Sequence, residues 1–161
     1  ERGFFLESFN KYKFEKETGV IANFVQDNLS KSSKGVLRGL HFQIGNYAQA
    51  KLVSVIKGSV LDVCVDIRKD SPTFGKHFSI ILDDSNRKQL YIPRGFAHGF
   101  LTLEDDTIFS YKCDNFYNKE HEKGIIFNDK ILDIDWGFKE KDPVISQKDR
   151  LLPAFKTYLN E

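Results

Sequence analysis

Between Leu61 and Arg68 the chain alternates residue by residue: Leu61, Val63, Val65 and Ile67 take one side, Asp62, Cys64, Asp66 and Arg68 the other. A period of two puts successive side chains on opposite faces of an extended strand, and it cannot make the apolar stripe of a helix. Similar short runs recur at 36–43, 51–56, 77–82, 88–92, 98–103 and 107–112. Turn-forming residues separate them: Gly58, Lys69-Asp70-Ser71-Pro72, Asp83-Asp84-Ser85-Asn86 and Glu104-Asp105-Asp106. Many short strands joined this way predict an all-β chain, a sandwich, jelly roll or small barrel. Helix is predicted only at the periphery, over 7–16 and after Ser146, where Ser146 at the N-cap and Asp149 three residues on make a capping pattern.

No repeat or low-complexity linker divides the 161 residues, so a single domain over 1–161 is expected. Lys+Arg 24 against Asp+Glu 23 leaves a net charge of +1, too little to hold a nucleic acid or an anionic membrane, so any anionic ligand must be caught locally. The 40% hydrophobic content is too high for a disordered chain, yet no apolar run approaches the ~20 residues that span a bilayer. Cys64 and Cys113 fit neither a disulfide scaffold nor zinc spacing and read as buried thiols of a reducing cytoplasm. The chain contains no methionine and opens on Glu1-Arg2-Gly3, so a native N-terminal segment is expected to precede it.

Two histidines lie in unusual surroundings, His41 in Arg38-Gly39-Leu40-His41-Phe42-Gln43 and His98 in Gly95-Phe96-Ala97-His98-Gly99-Phe100. Alternation predicts Arg38, Leu40 and Phe42 on one face and Gly39, His41 and Gln43 on the other, which gives His41 polar company and room beside a glycine. A histidine making ordinary core hydrogen bonds fits the same pattern. A metal-binding jelly roll would place a second histidine where Gln43 stands, with a carboxylate close behind; the next one here is Asp62, so no metal is expected. Lys51, brought beside His41 if the two strands flanking 44–49 pair, could stabilise an oxyanion in a metal's place, or it could be a solvated edge lysine. Tyr111 and Tyr117 could be packing residues or acids. Asp62 and Asp66 stand roughly 13 Å apart along one strand, too far for a carboxylate dyad, and are expected on a solvated or cavity-lining face.

Taken together, the ordered motifs are more specific. Arg2-Gly3-Phe4-Phe5-x-Glu7, Phe24-Val25-Gln26-Asp27-Asn28, Gly35-Val36-Leu37-Arg38-Gly39-Leu40-His41-Phe42-Gln43, Gln49-Ala50-Lys51-Leu52-Val53, the stretch 65–75, Gln89-Leu90-Tyr91-Ile92-Pro93, Gly95-Phe96-Ala97-His98-Gly99-Phe100 and Lys148-Asp149 follow one another along nearly the whole chain. The chain closely resembles the dTDP-4-dehydrorhamnose 3,5-epimerases. That resemblance implies a cupin-type β-jelly roll with short peripheral helices, usually a homodimer. It also implies an enzyme of dTDP-L-rhamnose formation that epimerises C3 and C5 of dTDP-4-keto-6-deoxy-D-glucose without metal or organic cofactor. By motif, His41 looks like the base, Asp149 its orienting carboxylate, Lys51 the enolate stabiliser and Tyr111 the opposing acid. Tyr117 matches the residue that stacks on the nucleotide base or bounds the pocket, and Arg2, Glu7, Gln26, Asn28, Arg38, His98, Glu122 and Lys148 match the nucleotide-sugar site.

The chemistry agrees with that resemblance. Both C3 and C5 are α to the ketone, so one base and one enolate-stabilising cation can serve both centres in turn, while inversion needs a proton from the other face. The sequence departs from the family at Phe116, where tyrosine is frequent, at Phe127, where tryptophan is common, and at Gly137, which follows Trp136 in place of proline. A single-centre C3 or C5 epimerase, or a 3,4-ketoisomerase, acting on a related 4-keto sugar is the alternative these departures leave open.

Overall fold

The computed structural model describes residues 2–138 and 142–159. Two sheets face each other. The strands β1 (Gln26–Ser32), β2 (Val36–Gln43), β3 (Lys51–Lys57), β4 (Ser59–Asp66), β5 (His77–Asp83), β6 (Gln89–Ile92), β7 (Phe96–Thr102) and β8 (Thr107–Cys113) are joined by the short β9 (Glu122–Gly124) and β10 (Val144–Ile145). One sheet has the order β1-β8-β3-β6; the other runs β10-β2-β7-β4-β5, with β9 also paired to β2. All pairings are antiparallel except β10 with β2. This is the jelly-roll architecture, and the strand starting at Val36 ends at Gln43 as alternation predicts.

The two faces of the second sheet bury different clusters. Val53, Val55 and Phe109 of one sheet meet Val60, Cys64, Leu82 and Phe100 of the other between the layers. Leu37, Leu40, Phe42, Val63, Val65, Ala97 and Leu101 point outward, where Ile125, Leu132, Trp136, Ile145 and Phe155 of the C-terminal stretch cover them. Burial on both sides overturns the solvated half of the expectation for β4: Asp62 and Asp66 are both buried. Asp66 has a cationic partner. Asp66 accepts hydrogen bonds from the Arg68 backbone and guanidinium, from Ser71 Oγ and from Thr73 Oγ1 at 2.6–3.0 Å.

The Arg68 guanidinium, against the opposing effect of burial and with help from the two hydroxyls, holds the Asp66 carboxyl far below the usual carboxylate range. A carboxyl depressed in the folded state stabilises above its unfolded pKa of ~4, and that contribution is lost as the pH falls toward its folded value. Asp66→Ala strands the two hydroxyls and the guanidinium that organise the 67–75 turn. It is expected to cost about 3 kcal/mol, read as a lower urea midpoint with unchanged slope.

The helix expected over 7–16 forms later, as α1 (Lys11–Thr18), because Asn10 Oδ1 accepts from Lys13 N and Gly19 closes the end with a left-handed backbone. Ser146 does cap α2 (Gln147–Arg150): its hydroxyl accepts from Asp149 N at 3.1 Å. Three pairings had no sequence signal strong enough to predict: β1, β9 and β10 are short or lie on charged, polar stretches.

Candidate active site

A strict alternation along β2 would put Arg38 and His41 on opposite faces, yet both line the same cavity. The reason is a register shift between Arg38 and His41 in the pairing with β7. It occurs where the two backbones nearly touch: a Cβ on Gly39, whose φ is +112°, would lie 2.6 Å from Gly99 Cα and from the His98 carbonyl oxygen. Only glycine fits there. The expected pairing of the His41 and Lys51 strands also does not occur. β2 belongs to the second sheet and β3 to the first, so the two side chains meet across the interior.

The cavity has two lobes, of about 610 and 220 Å³, that share Asn28, His41, Lys51 and Tyr111. On one wall, His41 Nε2 lies 2.7 Å from Asp149 Oδ1, and Asp149 Oδ2 accepts from Gly39 N at 3.3 Å. Burial alone would raise the Asp149 carboxyl, but the hydrogen bond and charge of His41, with the Gly39 N–H and Ser146, keep it below the usual range. An ionised Asp149 fixes the hydrogen on Nε2 and leaves the Nδ1 lone pair as the base. The four-residue α2 thus aims Asp149, and the Ser146 cap sets its position.

The facing wall comes from β3 and β8. Tyr111 pairs with Val53, and Lys51 with Cys113, so both project from adjacent strands; the Lys51 ammonium lies 5.6 Å from the centre of the Tyr111 ring. Burial lowers the Lys51 pKa, opposed by Cys113, Asp62 and Glu122. Burial also raises the Tyr111 phenol, as do Cys113 and Glu122, so it stays protonated and able to donate near neutral pH.

His98 sits deeper, with its Nε2 2.9 Å from Asp62 Oδ2. Burial pushes its pKa down, against the Asp62 charge and hydrogen bond, so a neutral imidazole donates to that carboxylate. At the rim, Tyr117 Oη and Lys148 Nζ both donate to Glu122 Oε2, at 2.7 and 2.6 Å. Burial would raise Glu122, but those two bonds hold it ionised below its ordinary value. The backbone N–H of Tyr117 donates to Gln26 Oε1, and Gln26 Nε2 to Asn28 Oδ1. Gln43, in the position a second metal-binding histidine would take, instead accepts from Asn118 N and so holds the loop that carries Tyr117.

His41, Lys51, Tyr111, Asp149, Gln26, Asn28, Arg38, His98, Tyr117, Glu122 and Lys148 therefore gather around one space. Arg2 and Glu7 do not. Arg2 is exposed, and Glu7 accepts from Lys13 Nζ at 2.9 Å and borders clefts on the outer side of the first sheet, near Gln89. Asp62 is the residue that the assignment of roles from sequence passed over; its signal was an acidic side chain inside a strand apolar enough to be buried on both faces. A cleft of about 630 Å³ that includes Trp136 is as large as the main lobe, but its described lining holds no histidine beside a carboxylate and no tyrosine facing it.

The family model described as dTDP-4-dehydrorhamnose 3,5-epimerase matches residues 1–157. A curated relative of that name from Shigella flexneri is 55% identical over 149 residues, covering 92% of this chain and 81% of its own. The crystal structure of dTDP-4-dehydrorhamnose 3,5-epimerase from Elizabethkingia anophelis NUHP1 superposes with a TM-score of 0.92 at 57% identity, over 98% of this chain and 86% of that one. A dTDP-6-deoxy-D-glucose-3,5-epimerase from Legionella pneumophila, solved in complex with dTDP-4-keto-L-rhamnose, matches with a TM-score of 0.92 at 48% identity, over 97% and 82% of the two chains. With the family model spanning almost every residue and the relatives matched over most of their own length, this chain belongs to the dTDP-4-dehydrorhamnose 3,5-epimerase family.

Proposed function

We propose that the protein epimerises C3 and C5 of dTDP-4-keto-6-deoxy-D-glucose, a step toward dTDP-L-rhamnose. One observation carries this reading. His41 sits on one sheet and Lys51 and Tyr111 on the other, with a space of about 610 Å³ between them. His41 Nδ1 takes the proton α to the ketone, and the ammonium of Lys51 stabilises the enolate oxygen at C4. Tyr111 Oη then returns a proton from the opposite side, which inverts the carbon. Both acidic positions flank the same carbonyl, so a modest shift of the sugar presents the second to the same groups.

Arg38 and Lys148, exposed at the mouth, suit the two phosphates, and the half-exposed Tyr117 ring suits the nucleotide base. Arg2 and Glu7 lie outside both lobes of their own chain, so in this reading they act on a ligand held by a second copy, and the working form is a homodimer. The setting is the cytoplasm, where the free, buried thiols of Cys64 and Cys113 stay reduced. Among the described residues no helix is long and apolar enough to cross a membrane.

The test is deuterium uptake from D2O into the 4-keto sugar, followed by NMR at each carbon, on protein first dialysed against a strong chelator. Labelling and inversion at both C3 and C5 are expected. Labelling at C3 alone makes this a single-centre epimerase, and turnover that vanishes on chelation and returns with one divalent ion overturns the metal-free mechanism.

A further inference from the structure

Asp62 is fully buried in the middle of β4, and its charge is only half accounted for. Oδ2 takes the hydrogen of neutral His98 at 2.9 Å; Oδ1 is buried with no hydrogen-bond partner among the described residues. A carboxylate so placed is strongly disfavoured unless a cation lies near, because a neutral imidazole supplies a hydrogen bond but no charge. The cationic groups lining the cavity are Lys51, Arg38 and Lys148. Arg38 and Lys148 are exposed at the mouth, and their nitrogens bond Ser32 and Glu122. Lys51 is half-buried and lines the same lobe as His98, whose Nε2 is bound to Asp62; burial lowers its pKa, and the Asp62 charge is among the effects that oppose this.

We propose that Asp62 is a positioning residue that keeps the Lys51 side chain an ammonium inside the cavity, with His98 holding the carboxylate by one oxygen and leaving the other for the cation's field. This rests on Lys51 acting as the enolate's partner, as in the proposed function. An amine cannot stabilise the enolate by charge, so burial without a counter-charge would disable the residue that the reaction most needs charged. The other groups facing Lys51 do not replace Asp62. Across the interior are His41 with Asp149, whose two oxygens are both taken, by His41 Nε2 and by the Gly39 N–H. On β8 are Tyr111 and Cys113, both shifted by burial toward their neutral forms. Glu122 is bound to Tyr117 and Lys148 at the rim.

The direct measurement follows the Lys51 Cε and Nζ resonances against pH in lysine-labelled protein, assigned by their loss in Lys51→Arg. In Asp62→Asn the Lys51 midpoint is expected to fall by about 1 pH unit or more, and Asp62→Glu to restore part of it. A midpoint that moves by less than about 0.3 unit in a folded Asp62→Asn protein overturns the proposal. The unaltered protein gives a second reading should Asp62→Asn fail to fold. Its Asp62 carboxyl carbon is expected to report the Lys51 titration as an inflection at the Lys51 midpoint. The absence of that inflection also overturns it. Activity separates the two readings. The alkaline limb of kcat should move down with the Lys51 midpoint, with the acid limb unchanged. A Lys51 midpoint that falls while kcat keeps its profile leaves Asp62's role intact and removes Lys51 from the enolate step.

Discussion

His41→Asn is expected to stop hydrogen exchange at C3 and C5 together, by about 10³-fold or more, while dTDP still binds. The equal loss follows from the wall that His41 occupies: it carries one imidazole oriented by one carboxylate, and no second base of that kind stands beside it among the described residues. The other histidine of the cavity, His98, gives its Nε2 hydrogen to Asp62 and lies deeper. Position-resolved deuterium uptake decides the matter. A variant that still exchanges the C5 proton at near the normal rate would show that a second base serves that carbon. Asp149→Asn should be the milder change, because the imidazole remains and loses only its fixed tautomer and its counter-charge.

Tyr111→Phe is expected to separate exchange from inversion. The ring that packs against Phe109 is kept, at 6.0 Å between centroids, so the cavity holds its shape. The proton donor on the wall opposite His41 is gone. His41 can still remove a proton and return one to the same face, so solvent label continues to enter while net inversion falls by ~10²–10⁴-fold. Stereochemistry and label must be read on the same sample at both carbons. Normal inversion in Tyr111→Phe reassigns the acid, and Tyr117, whose hydroxyl is engaged by Glu122 at the rim, becomes the group to test next.

Local chemistry already marked much of this protein in its sequence. The alternation of β2, β3, β4, β5, β7 and β8 is a property of neighbouring residues, and so are the turns between them and the Ser146 cap. The short motifs that hold His41, Lys51 and Asp149 could be read in the same way, whereas the roles given to them and to Tyr111 came from the family resemblance. β1 was less so. Its sequence, Gln26-Asp27-Asn28-Leu29-Ser30-Lys31-Ser32, has polar residues facing both the cavity and solvent, and it becomes a strand through its seven-residue pairing with β8.

Only long-range pairing could decide the rest. Two strands separated by only seven residues look like a hairpin from sequence, yet β2 and β3 part to opposite sheets, which is what puts His41 and Lys51 across the cavity instead of side by side. Arg38 joins His41 in the cavity because Gly39 meets Gly99, a contact between positions sixty apart. Burial of Asp62 depends likewise on a second sheet and a C-terminal cover closing over both faces of β4. Residue type and spacing determine which way a side chain points from its own strand; what it points at is determined by which strand the fold brings opposite, and that information is distributed over the whole chain.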